Sequence, residues 1–134
     1  MPLYLADTSA WHWSGRVIGK WSALLESGSI ASCAPVKLEL LFSARGKRDY
    51  AQLAFDLGGL PYLPLDERAA AAALAAQAAL AERAQHRLPA VDFLVAGIAQ
   101  VGDATLLHYD HHFDSIARVT GQPTEWLARR GTLN

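Results

Sequence analysis

The chain has a single cysteine, Cys33, and so no intramolecular disulfide. Set in an apolar-to-small segment, that thiol is expected to be buried and inert. No apolar run is long enough to span a membrane, and Met1 to Asp7 has no basic region ahead of its few apolar residues. Neither an anchor nor a secretory leader is expected, and the expected location is the cytoplasm. An excess of one charge is also missing, since Lys+Arg 12 against Asp+Glu 13 leaves −1. That excludes the global basic field of many nucleic-acid binders, but not a cluster of acids neutralised by divalent cations beside a local basic strip. A G-x-S-x-G elbow, a Walker A loop and a G-x-G-x-x-G turn are absent too, so no serine-nucleophile, P-loop or dinucleotide signature is on offer.

What is present suffices for one domain, residues 1–134, able to bury about two-thirds of its unfolded surface without a covalent staple. Leu3 to Ala6 reads as a short strand, followed by Asp7-Thr8-Ser9, an acid and two hydroxyls suited to capping a helix that carries Trp11 and Trp13. Ile18 to Glu26 reads as a helix ended by Gly28, and Ser29 to Ala34 as a strand halted by Pro35. A helix from Val36 to Arg45 closes at Gly46, and another covers Asp49 to Leu57. Pro61 to Pro64 is at best an edge strand. Asp66 caps a long alanine-rich helix from Glu67 to about His86.

The last third is more informative. A Pro-started helix opens near Asp92, turns at Gly102-Asp103, and leads to an apolar strand at Thr105 to His108 that stops before Asp110. A short helix from His111 to Ala117, a turn at Gly121 to Pro123 and an apolar-aromatic end at Trp126-Leu127 follow. In an open α/β sheet, ligands gather beyond the carboxyl ends of the strands, where Asp7 and Asp110 both fall and which Asp92 could reach from its helix start. Glu39 is planted among Leu38, Leu40 and Leu41, where a carboxylate either faces solvent with Ser43 or needs a partner. Taken singly, Asp7 is equally well an N-cap. Oxygen-only donors suit Mg²⁺ or Mn²⁺, and such ions serve phosphodiester hydrolysis. Arg45, Lys47 and Arg48 form the one tight basic cluster, a solvated helix end near Glu39 or a grip for phosphate. His108, His111 and His112 stand beside Asp110 and Asp114, but without cysteine pairs they are read as ordinary packed or exposed histidines and not as a zinc centre.

The order Leu-Ala-Asp7-Thr-Ser9, Leu38-Glu39-Leu-Leu, Pro89-Ala-Val-Asp92-Phe-Leu-Val-Ala96 and Leu-Leu-His-Tyr-Asp110-x-x-Phe113-Asp114 resembles the PIN-domain nucleases, and among them the VapC-type toxins of bacterial toxin–antitoxin pairs. The resemblance implies an α/β, three-layer domain with a short parallel sheet of four or five strands flanked by helices. It implies a Mg²⁺- or Mn²⁺-dependent endoribonuclease neutralised by a VapB-like antitoxin, with Asp7, Glu39, Asp92 and Asp110 as catalytic metal ligands and Ser9 in support. One departure stands out: His112 occupies a place where many relatives carry an acid, with Asp114 as the substitute. The expected substrate is tRNA or another structured RNA loop. A homodimer is expected, with the alanine face and Trp11, Trp13, Trp21 and Trp126 as surface left for a second copy or the antitoxin. The competing readings are a PIN-fold interaction module without activity and a haloacid-dehalogenase-type phosphatase. The phosphatase lacks its second acid, because position 9 is serine.

Overall fold

Short apolar segments alternate in side-chain direction and give four strands: β1 (Tyr4–Ala6), β2 (Ile30–Ala31), β3 (Thr105–His108) and β4 (Thr124–Trp126). In the computed structural model, which describes residues 2–133, they form one parallel sheet in the order β2-β1-β3-β4. Leu5 is in register with Ala31 on one side and Leu106 on the other, and Leu107 with Glu125. The period of two then sends Leu5, Ala31 and Leu106 into one core and Ala6, Ile30 and Leu107 into a second. A parallel sheet needs helices on both faces, and both are covered here.

On the first face lie α3 (Ala34–Phe42), α5 (Glu67–Ala81), α6 (Ala90–Val101) and α7 (His112–Thr120), contributing Val36, Leu80, Ile98, Phe113 and Ile116 to the core. On the second lie α1 (Thr8–Trp13) and α2 (Ile18–Glu26), joined by a 3-10 turn at Ser14–Val17. The remaining helix, α4 (Lys47–Gly58), packs on α3 and buries Leu57. This is the three-layer α/β arrangement expected, with four strands. The Pro61 to Pro64 segment adds only a single parallel bridge, Tyr62 to Ser32, at the outer edge of β2.

The surface expectations need correction. The alanine face of α5 is consumed inside, where Ala69, Ala73 and Ala76 are buried. Helix α6 comes so close that a Cβ on Gly97 would stand 2.4 Å from the Ala69 carbonyl oxygen. The tryptophans also turn inward. Trp21 is 3% exposed and packs edge-on against Trp11 with centroids 4.8 Å apart, while Trp13 and Trp126 flank Tyr109. The large exposed apolar side chains are Leu38, Phe42, Phe55 and Leu74 instead.

Several boundaries also differ: β2 keeps only Ile30–Ala31 of the expected Ser29 to Ala34, α4 covers Lys47–Gly58, and α7 runs past Ala117 to Thr120. Helix α3 stops at Phe42 and not at Arg45, because the Ser43 hydroxyl takes the Leu40 carbonyl at 2.7 Å and ends the ladder. Arg45 therefore sits in a linker, while Lys47 and Arg48 open α4. Helix α5 ends at Ala81, short of His86: Ala84 adopts a left-handed φ of 57°, and the Gln85 N–H returns to the Leu80 carbonyl at 2.9 Å. The aromatic C-terminal segment proves to be strand β4.

The strand order sets the site. From β1 the sheet runs to β2 on one side and to β3 on the other, so the topological switch point lies between β1 and β3. Asp7 is the first residue beyond β1, and its N–H donates to the Leu107 carbonyl of β3 at 3.0 Å.

Candidate active site

Asp7 leaves β1 in an extended conformation and caps α1, its Oδ1 accepting the Ala10 N–H at 3.3 Å. The N-cap and site readings of Asp7 are therefore compatible, because the cap uses Oδ1 alone. The same oxygen accepts the Ser9 hydroxyl at 2.7 Å, and Ser9 Oγ accepts the Tyr109 N–H at 2.8 Å. Serine thus clamps the ends of β1 and β3 together around one carboxylate. Thr8 turns the other way and donates to Glu39 Oε1 at 2.5 Å, fixing the exposed carboxylate of α3 beside the start of α1.

Asp92 occupies the first turn of α6, where the helix dipole favours an anion. Its Oδ2 lies 2.8 Å from His112 Nδ1, and that same nitrogen lies 3.5 Å from Asp110 Oδ1. Asp110 Oδ1 also accepts the His112 N–H at 3.0 Å at the start of α7. One histidine therefore links two acids that are distant in sequence.

Burial pushes the Asp7 carboxyl up to about 7 against the hydrogen bonds from Ser9 and Ala10, with the charge of Asp92 adding to the rise. Burial likewise raises Asp92, opposed by His112 and reinforced by Asp110 and Glu39. The charge of Asp92 is thus felt at Asp7, and those of Asp110 and Glu39 at Asp92. Among the described residues, no Lys or Arg ion pair reaches any of the four. A divalent ion beside the buried Asp7 and the half-buried Asp92 would favour their charged forms against this rise. The donors, carboxylate oxygens with one imidazole nitrogen, fit a divalent ion.

Other candidates fall elsewhere. Asp114 is engaged with the C-terminal segment: Oδ1 accepts the Trp126 indole N–H at 3.1 Å, and Oδ2 lies 3.9 Å from Arg130. Its contacts hold α7 against β4 and do not substitute for an acid at position 112. Arg45, Lys47 and Arg48 are exposed at the α3–α4 junction, where Asp49 accepts the Arg45 N–H at 2.9 Å. None of the ion pairs among the described residues joins them to the acids. His108 is wholly buried, its Nδ1 accepting the Asp110 N–H at 3.2 Å, and burial lowers its pKa, so it is a neutral core residue. It does not pair with His112 to make a zinc centre, and Cys33 is the buried thiol expected, its pKa pushed up to about 11 by burial.

Two contributors escaped the sequence reading. His112 looked like a missing acid and is instead a nitrogen donor inside the cluster. The second is an apolar groove of about 520 Å³ lined by Pro35, Leu38, Phe42, Leu65 and Leu94, whose wall also includes Thr8 and Glu39. Leu38, exposed beside Glu39 on a largely apolar helix, was its sequence signal.

With this geometry in place, comparison with known proteins is informative. The PIN domain family matches residues 4–119. Ribonuclease VapC18 of Mycobacterium tuberculosis is 39% identical over 98% of this chain and 99% of its own length. Ribonuclease VapC51 of the same organism is 32% identical over 98% and 97%. In fold, the chain is similar to one in the crystal structure of DNA-bound VapBC from Salmonella typhimurium, with a TM-score of 0.76 at 18% identity over 96% of this chain and 100% of that one. An acid at the carboxyl end of β1, one in the first turn of α6 and one beyond β3 on a parallel sheet, together with these relatives, establish that the chain belongs to the PIN domain family.

Proposed function

We propose that the protein is an endoribonuclease toxin that requires Mg²⁺ or Mn²⁺ and is neutralised by a VapB-like antitoxin. The observation that supports this best is Asp7 at the carboxyl end of β1 beside β3, with Asp92 and Asp110 brought to one His112 nitrogen, in a chain with full-length similarity to two VapC ribonucleases. Family membership removes the reason for the phosphatase reading, and Ser9 is committed to Asp7.

Asp7 and Asp92, with Glu39 and Asp110, would hold the ion. When bound, a divalent cation supplies Lewis-acid activation of water and stabilises charge on the departing alkoxide. The chain's own part is orientation. Ser9 fixes one oxygen of Asp7, leaving the second free; Thr8 holds Glu39 beside the start of α1; Asp110 would orient the attacking water or a second ion. Single-stranded or looped RNA, such as a tRNA loop, suits an acidic crevice, because its splayed backbone enters where a duplex would not. Arg45, Lys47 and Arg48 would add sequence-independent phosphate affinity.

The apolar groove beside Glu39 is the natural seat for the antitoxin, since an occupant there lies next to the acids. A basic antitoxin side chain reaching Glu39 or Asp92 would take the cation's place. A second copy of the chain is the other partner, read by the mass of the purified protein. No described helix is long and apolar enough to cross a membrane, in keeping with a cytoplasmic site of action.

The deciding experiment incubates antitoxin-free protein with a labelled pool of cellular RNA in Mg²⁺, in Mn²⁺ and in EDTA. Discrete metal-dependent cuts, lost in Asp7→Asn and Asp92→Asn, are the expected result. Folded protein that cuts nothing in either metal supports the interaction module instead.

A further inference from the structure

We propose that His112 is itself a ligand of the bound cation, making the site a mixed carboxylate–imidazole centre that favours Mn²⁺, Co²⁺ or Zn²⁺ over Mg²⁺. This rests on the reading of Asp92 and Asp110 as cation ligands.

The geometry points to His112 in particular. Its Nδ1 is 2.8 Å from Asp92 Oδ2 and 3.5 Å from Asp110 Oδ1, so one ring nitrogen is aimed at the space between two carboxylates. Neighbouring donors around an octahedral ion with bonds of about 2.1 Å lie about 3 Å apart, which those two distances bracket. The ring is held there from two directions. The backbone N–H of His112 donates to Asp110 Oδ1, and the residue is the first of α7, whose Phe113 is anchored in the core. His111 also lies near this pair, its Nδ1 3.6 Å from Asp110 and its ring 4.8 Å from that of His112, but its side chain is largely exposed and no ion pair among the described residues joins it to Asp92.

The donor chemistry then sets the preference. Carboxylate oxygens suit Mg²⁺ and Mn²⁺, whereas imidazole suits later first-row ions, whose affinities rise across the series up to copper. Exchanging one carboxylate donor for a nitrogen weakens the hold on Mg²⁺ and strengthens it on Co²⁺ and Zn²⁺.

The opposite role for the same contact is that the imidazole is a counter-charge to the acids and competes with the ion. Binding separates the two. EDTA-stripped protein is titrated calorimetrically with Mg²⁺, Mn²⁺ and Zn²⁺, and with Co²⁺ while its visible absorption is recorded, for wild type, His112→Asn, His112→Asp, His111→Asn and Asp92→Asn. We expect His112→Asn to lose at least about tenfold in Zn²⁺ and Co²⁺ affinity and to change the Co²⁺ spectrum. We expect His112→Asp to shift the preference back toward Mg²⁺ and His111→Asn to match wild type. Unchanged or tighter binding by His112→Asn overturns the ligand assignment, as does an unchanged Co²⁺ spectrum. If Asp92→Asn binds every ion as wild type does, it is the underlying reading of the acids that fails.

Discussion

Ser9 donates its hydroxyl proton to Asp7 at 2.7 Å while accepting the Tyr109 N–H, so one side chain couples the carboxyl ends of two strands 100 residues apart in sequence. Replacing it with alanine leaves the Tyr109 N–H without its partner and Asp7 Oδ1 with the Ala10 N–H alone, at a cost of about 1–3 kcal/mol. Ser9→Ala should therefore lower the urea midpoint and reduce RNA cleavage, and Ser9→Thr should restore much of both. An alanine variant as stable as wild type would contradict the clamp.

Asp7 gives a pH dependence of definite sign. Its carboxyl is raised from 3.8 to about 7 in the folded protein. The stability this confers is complete below the unfolded value and lost as pH rises through the folded one. Metal-free protein should thus become less stable between about pH 4 and 7. Asp7→Asn should remove that slope and, at pH 8 in EDTA, gain on the order of 3 kcal/mol while abolishing cleavage. Thermal melts across pH, with and without added cation, provide the check.

His108 works in the opposite direction. Its pKa is lowered by burial from 6.5, so the neutral ring's contribution is present above the unfolded value and declines as pH falls below it. Because Asp7 gains stability over part of the same range, the measurement belongs in an Asp7→Asn background. There, denaturation midpoints should fall from pH 7.5 to 5.5, and a further His108→Gln change should flatten that decline.

Gly97 is required by the approach of α6 to α5. A methyl group there would meet the Ala69 carbonyl oxygen at 2.4 Å and the Ala73 nitrogen at 3.0 Å, both backbone atoms that cannot swing aside. Although alanine favours helix, Gly97→Ala should destabilise by about 1–3 kcal/mol or more, read by chemical denaturation.

Phe42 is 92% exposed on the groove beside Glu39. Phe42→Ser should weaken antitoxin binding at least about tenfold in a direct titration and leave cleavage of a short RNA unchanged. Equal affinity would move the antitoxin to another face.

Much of the fold was legible because its cues are local. Thr105–His108 and Ile18–Glu26 match their sequence expectations residue for residue, one an apolar run between turn residues and the other an amphipathic stretch before Gly28. Asp66 caps α5 as read, accepting the Ala69 N–H at 2.9 Å. The ends of α3 and α5 were misjudged because a serine hydroxyl and a left-handed alanine, not glycine or proline, terminate them. Strand β4 was missed because three half-buried residues become a strand only by pairing with β3.

The identity and order of the four acids, the hydroxyls after Asp7 and the α/β pattern were determined by the sequence alone, since each depends on residue type and near-neighbour spacing. Only the tertiary structure decided that Trp21 and the alanine face are spent in the core, that Asp114 belongs to Trp126, and that His112 stands between Asp92 and Asp110. Those outcomes depend on distances between residues far apart in the chain. Sheet register and helix docking set such distances, and no local pattern encodes them.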